Sequence, residues 1–204
     1  LCCVSVESRA NVTLYGVVDA GVSFTNNQVG GGSVVRQTSG SLSSSRWGVR
    51  GSEDLGQGLK AVFVLESGFD VDTGKSAQGG RLFGRSAYVG LESQWGSILF
   101  GRQQSALFDM IGAFDPMALS PRWSIFNQDL AFVARPDNTV KYVGKFGGLT
   151  ATAMYSFGAE STTVDGSEVP GNAKLGREFG FRLSYNNGPF SIGTAYDEVN
   201  TGTL

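Results

Sequence analysis

From Ser44 to Glu66 the chain reads SSRWGVRGSEDLGQGLKAVFVLE, and its side chains sort by parity. Arg46, Arg50, Lys60 and Glu66 hold even positions, whereas Trp47, Val49, Phe63 and Leu65 hold odd ones. Successive side chains of a strand leave opposite faces of the pleat. At 3.6 residues per turn the same charges would scatter around a cylinder. The segment therefore predicts two strands, 44–52 and 59–69, joined by a turn at Glu53–Gly58, with one apolar face and one face that carries charge.

The pattern recurs along the chain. Residues 12–24 keep Val12, Leu14, Gly16, Val18, Ala20, Val22 and Phe24 on one side, which predicts a single long strand. Further pairs are expected at 83–91 with 97–102, 139–146 with 149–158, and 177–186 with 190–197. Their turns fall at Glu92–Gly96, Gly147-Gly148 and Asn187-Gly188-Pro189. The total is about nine strands, an all-β chain, with room for a helix only inside 103–120. Tight turns alternate with long connections near 25–43, 70–81, 103–138 and 159–176. Compact soluble domains seldom carry several loops above about 12–15 residues. Short turns at one end and long loops at the other predict a transmembrane antiparallel β-barrel. Phe24, Phe69, Trp95, Phe157, Phe190 and Tyr196 near strand ends suit its aromatic girdles. No run approaches the ~18 apolar residues of a membrane helix. A barrel strand needs only about ten alternating ones.

Composition narrows the chemistry. Gly, at 30 of 204 residues, is about twice its usual share, and the net charge is −2. Nucleic acid is not an expected partner, because phosphate binding needs a concentrated basic surface. With no histidine, His-based triads and most transition-metal sites are excluded. Cys2 and Cys3 are adjacent at the N-terminus, a poor geometry for a structural disulfide. Residues 1–10, with small residues before a cleavage point after Ala10, are read as a signal-peptide remnant or a disordered start. Gly56-Gln57-Gly58-Leu59-Lys60-Ala61 spells a dinucleotide motif but opens a strand where a nucleotide loop must open a helix. Asp70-Val71-Asp72-Thr73-Gly74 begins like a calcium loop but lacks the later ligands, so a solvated loop is expected. No G-x-S-x-G elbow occurs. Neither a cofactor nor a metal is expected, and the chain is not expected to be an enzyme.

The charged face points to water. Lys141 and Arg182 alternate with apolar neighbours as Arg46, Arg50 and Lys60 do. Turned toward lipid, such a cation costs about 2–4 kcal/mol at the bilayer midplane. A soluble β-sandwich with one wet face gives the same parity. Arg85 breaks the pattern, because it shares odd numbering with Ala87, Val89 and Leu91. A bulge between 85 and 87, or a strand that starts at Ser86, turns it inward.

The stretches NVTLYGVVDAGVSF, SRWGVRGSEDLGQGLKAVFVLESGF, FGRSAYVGLESQWGSILFGRQ and VKY resemble the general diffusion porins of Gram-negative outer membranes, in their β-proteobacterial branch. The resemblance runs from Asn11 to about Asp197, and 11–204 is read as the N-terminal part of one barrel. It implies a homotrimer of barrels of about sixteen strands around an aqueous channel, embedded in outer-membrane lipid. It further implies that 103–138 folds inward as a constriction loop. By motif, Arg46 of S-R-x-G, the strand residue Arg50 and Arg85 of F-G-R become pore-wall cations, with Lys60 beside them. Asp109 and Asp115 are the expected loop acids, with Asp129 behind them. The implied activity is passive diffusion of small hydrophilic solutes and ions with a mild anion preference. With about nine strands and no terminal aromatic strand, the chain is expected to be an incomplete porin, a fragment or a truncated reading frame. The atypical first ten residues leave its export route open. The alternatives are a surface-exposed barrel that acts as an adhesin or structural protein, and a soluble carbohydrate-binding β-sandwich.

Overall fold

A computed structural model of the chain describes residues 11–27, 29–125, 134–159 and 174–200. Among these, eleven strands and one α-helix form. The strands are β1 (Asn11–Val17), β2 (Ala20–Thr25), β3 (Val34–Ser39), β4 (Arg46–Gly56), β5 (Leu59–Gly68), β6 (Ser86–Ser93), β7 (Gly96–Arg102), β8 (Thr139–Phe146), β9 (Leu149–Ser156), β10 (Glu178–Asn187) and β11 (Phe190–Val199). The helix, α1 (Ala106–Phe114), lies between β7 and β8. Nine strands make one antiparallel sheet in the order β1-β4-β5-β6-β7-β8-β9-β10-β11, while β2 and β3 form a separate hairpin.

The single strand predicted over 12–24 is thus two strands. Asp19 is the reason for the break. Its carboxylate accepts the backbone N–H groups of Leu42 and Ser43 at 2.8 and 2.7 Å, and its carbonyl accepts that of Gly40 at 2.9 Å. These bonds fold the chain back, so β2 pairs with β3 inside a stretch expected to be loop. The apolar alternation runs on through β2 because that hairpin is also period-two. The β4–β5 turn is tighter than expected. Strand β4 reaches Gly56, and only Gln57 and Gly58 remain, with Gly56 and Gly58 at φ +87° and +76°. Glycine takes that left-handed backbone without steric cost.

The two faces of the sheet are inverted relative to a soluble protein. Opposite one another across the ladder stand Val62, Gly90, Leu99, Lys141, Met154, Gly180 and Asp197. Lys141 in that row reaches α1, which marks it as the inner face. The other face presents Leu14, Val89, Phe100, Phe181 and Leu183, all exposed, with Leu14 at 74%. The largest fully buried side chains include Glu178, Thr139, Ser105 and Ser156. A β-sandwich would cover its apolar face with a second sheet. Here the apolar face is bare, and α1 packs on the polar one over β9–β11, the arrangement a barrel adopts in lipid. No described helix is long and apolar enough to cross a membrane.

Candidate pore constriction

Glu66 is the hub of the β4–β5–β6 wall. Its Oε2 accepts the Tyr15 hydroxyl at 2.9 Å, and its Oε1 accepts Arg85 Nε at 2.6 Å. Arg46 Nε stands 3.8 Å from Oε2, while its Nη1 donates to Ser43 Oγ and the Ser44 carbonyl. Strand β6 begins at Ser86, so Arg85 lies just before the regular ladder. Released from alternation, Arg85 turns to Glu66 and is only 9% exposed. Of the two routes that turn Arg85 inward, a bulge or a strand start at Ser86, the chain takes the second.

A cavity of about 450 Å³ opens beside this cluster and is lined by Arg46, Glu66, Arg85, Phe108 and Arg135. Arg135 was not among the residues expected from sequence. The two ends of the long loop run side by side: Gln103 N–H donates to the Pro136 carbonyl at 3.4 Å, and Ser105 N–H to that of Ala134 at 3.1 Å. That pairing carries Arg135 across the inner face, with its guanidinium carbon 4.8 Å from the centre of the Phe108 ring. Asp137 fixes the end of the loop by accepting Arg81 and Arg102 at 2.8–2.9 Å. Burial, and then the neighbouring Arg85 and Arg102, lower the Arg135 pKa to about 9. It stays cationic at neutral pH. Arg46 and Arg85 therefore share the Glu66 carboxylate, and Arg135 lines the same cavity. The only sequence signal for Arg135 was its place in R-P-D just before β8, which carries no parity.

Across the sheet, α1 is fastened to β8, β10 and β11. Ser105 caps it, its Oγ accepting Phe108 N–H at 3.2 Å. Lys141 Nζ, on a residue 4% exposed, donates to Asp109 Oδ2 at 2.6 Å and to the Gln104 carbonyl at 2.7 Å. Arg182 Nη1 donates to the Asp109 carbonyl at 3.0 Å, and Asp197 Oδ2 accepts Leu107 N–H at 2.8 Å. A carboxylate at a helix N-terminus is favoured by the exposed N–H groups there.

The other expected residues fall in different places. Arg50 rests over the Tyr15 ring at 5.3 Å, and no carboxylate pairs with it among the described residues. Lys60 stands opposite Asp54 and Glu92 beside the hairpin turn. Six residues of strand separate it from Glu66, roughly 20 Å. Asp109 meets Lys141 in place of the arginines. Asp115 closes the end of α1, accepting the N–H groups of Met117 and Leu119 at 3.0 and 2.9 Å. A bond from Ser124, more than these two, holds its carboxyl below the usual carboxylate range. Asp129 and residues 1–10 lie outside the described residues. The segment Asp70–Gly74 closes as a turn, Gly74 N–H donating to the Asp70 carbonyl at 2.8 Å. Among the described residues, no group of His, Cys, Asp and Glu side chains is arranged to hold a metal.

A Gram-negative porin family model matches residues 2–204. The chain belongs to the Gram-negative porin family. It is 35% identical to an outer membrane porin protein of Bordetella pertussis, a match covering 96% of this chain and 56% of that one. It is 31% identical to outer membrane porin protein 32 of Delftia acidovorans, over 97% of this chain and 57% of the other. The anion-selective porin from Comamonas acidovorans superposes with a TM-score of 0.76 at 29% identity, over 95% of this chain and 59% of that one. Salmonella typhi OmpF, at 20% identity and a TM-score of 0.64, shares the fold. This porin chain thus spans a little over half the length of the curated relatives it matches. Its strands are those of an outer-membrane β-barrel.

Proposed function

We propose that the complete protein is a passive, water-filled channel in the outer membrane for small hydrophilic solutes and ions, mildly selective for anions and assembled as a homotrimer. The observation that carries this is one cavity lined by Arg46, Arg85 and Arg135 and a single carboxylate, Glu66, which pairs with Arg46 and Arg85. Fixed charges at a narrowing set up a transverse field, order the water and favour the ion of opposite sign. An excess of guanidinium over carboxylate favours anions, and the structurally similar Comamonas acidovorans porin is an anion-selective one. The channel requires no chemical step. Conduction requires only that a solute gain enough from the wall to enter and little enough to leave.

Planar-bilayer recording of the complete protein tests this directly. Stepwise openings in sets of three are expected, with a reversal potential in a salt gradient of the sign that marks anion permeation. Silence from folded, inserted protein overturns the channel, and a cation-signed potential overturns the selectivity. A single mass by cross-linking in detergent, corresponding to one subunit, removes the trimer alone.

A further inference from the structure

We propose that the inner wall carries a subsite for small carboxylates with an apolar body, formed by Arg50 and the strip Val62, Val64, Tyr88 and Leu99. It rests on the proposal that the inner face is a water-filled lumen, and it adds a solute class to that proposal.

The cation comes first. Arg46 and Arg85 are paired through Glu66, Lys141 through Asp109, and Arg81 and Arg102 through Asp137. Arg50 is exposed on the same face, with its guanidinium over Tyr15 and no carboxylate partner among the described residues. An aromatic ring beneath a guanidinium holds it in place without neutralising it. The donors of Arg50 are therefore free for an incoming anion, and a guanidinium suits a carboxylate in bidentate geometry.

The apolar strip comes next. In register, Arg50 stands opposite Val64 and Val64 opposite Tyr88, while Val62 stands opposite Gly90 and Gly90 opposite Leu99. All of them face inward. Gly90 makes the strip a shelf: a Cβ there would lie 2.6 Å from Leu99 Cδ2, so the leucine leans across the vacancy. On β9 and β10 the inner face instead carries Thr150, Thr152, Ser156 and Ser184. The strip is thus local, and it adjoins the Arg50 guanidinium.

Space and charge agree. Arg50, Val64, Tyr88 and Leu99 line a cavity of about 440 Å³, and Arg50, Val62, Val64, Tyr88 and Leu99 line another of about 370 Å³. Both fall in the range of about 300–1,000 Å³ usual for small-molecule sites. The carboxylates bordering the first, Glu66 and Asp109, are matched by Arg85 and Lys141. Glu92, which borders the second, stands opposite Lys60. A solute with a carboxylate on Arg50 and a ring or branched chain on the shelf recovers the hydration it loses. A purely polar ion gains only the first contact.

Calorimetric titration of the folded, detergent-solubilised complete protein with phenylacetate, acetate and phenethylammonium tests the proposal. Phenylacetate is expected to bind about tenfold more tightly than acetate, the scale of burying part of a ring. Phenethylammonium is expected not to bind. Arg50→Gln should weaken phenylacetate about tenfold, and Leu99→Ser should bring it toward acetate. Equal affinity for the two carboxylates in the wild type, or an undiminished affinity in a folded Arg50→Gln variant, overturns the subsite. Potassium chloride conductance on the same preparation separates the two proposals. Normal conductance without discrimination rejects the subsite alone, whereas discrimination by a protein that conducts nothing rejects the channel and keeps the subsite.

Discussion

Two walls of the same sheet use the same pairing chemistry for opposite ends. On β8–β11, three charged residues are spent on the loop: Lys141 on Asp109, Arg182 on the Asp109 carbonyl, Asp197 on the first turn of the helix. On β4–β6, Arg46 and Arg85 crowd a single carboxylate, and the loop adds Arg135 to them. The first wall is an anchor, and there Lys141 offsets Asp109. The second keeps a surplus, and in the proposed channel that surplus is what a passing ion would meet. The ratio of cations to carboxylates decides which role a wall takes, more than the kind of residue.

The anchor should break most visibly. Lys141→Met leaves Asp109 without its ammonium partner, and removing one member of a buried pair costs about 3 kcal/mol. A lowered thermal midpoint in detergent is expected, together with noisier single-channel currents. An unchanged midpoint and quiet currents would mean that α1 is held by packing alone. The other wall should set selectivity. Glu66→Gln removes the shared negative charge and should raise the anion-to-cation permeability ratio severalfold, whereas Arg46→Gln with Arg85→Gln should lower it. Reversal potentials measure both, and shifts of the same sign in the two variants would remove the surplus-charge account. A smaller effect is expected from Asp197→Asn. The amide still accepts from Leu107 N–H, and the charge it removes is a buried one, so a change in thermal midpoint well below that of Lys141→Met is expected.

The smallest effect lies in acid. The folded-state pKa of Asp115 is below its unfolded value, which is near 3.9. The ionised carboxylate therefore stabilises the loop fully above about pH 4, and that contribution is lost as pH falls through the lower folded value. The difference in thermal midpoint between wild type and Asp115→Asn should hold constant from pH 7 to about 5 and close only below about 4. A difference that already closes between pH 7 and 5 would show that another group controls the turn.

Much of the sheet was legible because a strand's two faces see two solvents. Arg46, Glu66, Lys141 and Arg182 could be assigned to one face from parity alone, and their partners lie there. The β2–β3 hairpin was not legible. Alternation reports a strand but not its neighbour, and the backbone bonds to Asp19 that redirect the chain involve residues 40 to 43, more than twenty positions away. Among the candidate site residues, sequence pointed to Arg46 and Arg85, which share Glu66, and to Asp109. It did not reveal that Asp109 faces Lys141, that Asp115 serves its own turn, or that Arg135 joins the cluster. Loop residues carry no period, so nothing in their spacing encodes where the side chain ends.

What the sequence determined by itself was therefore the alternation: which side chains can tolerate lipid and which require water, set residue by residue through hydration cost. The tertiary structure alone decided which charges cancel. Pairing depends on distances of a few ångströms between residues such as Lys141 and Asp109, 32 positions apart. Those distances exist only once α1 is laid against the wall and the loop has brought its two ends together.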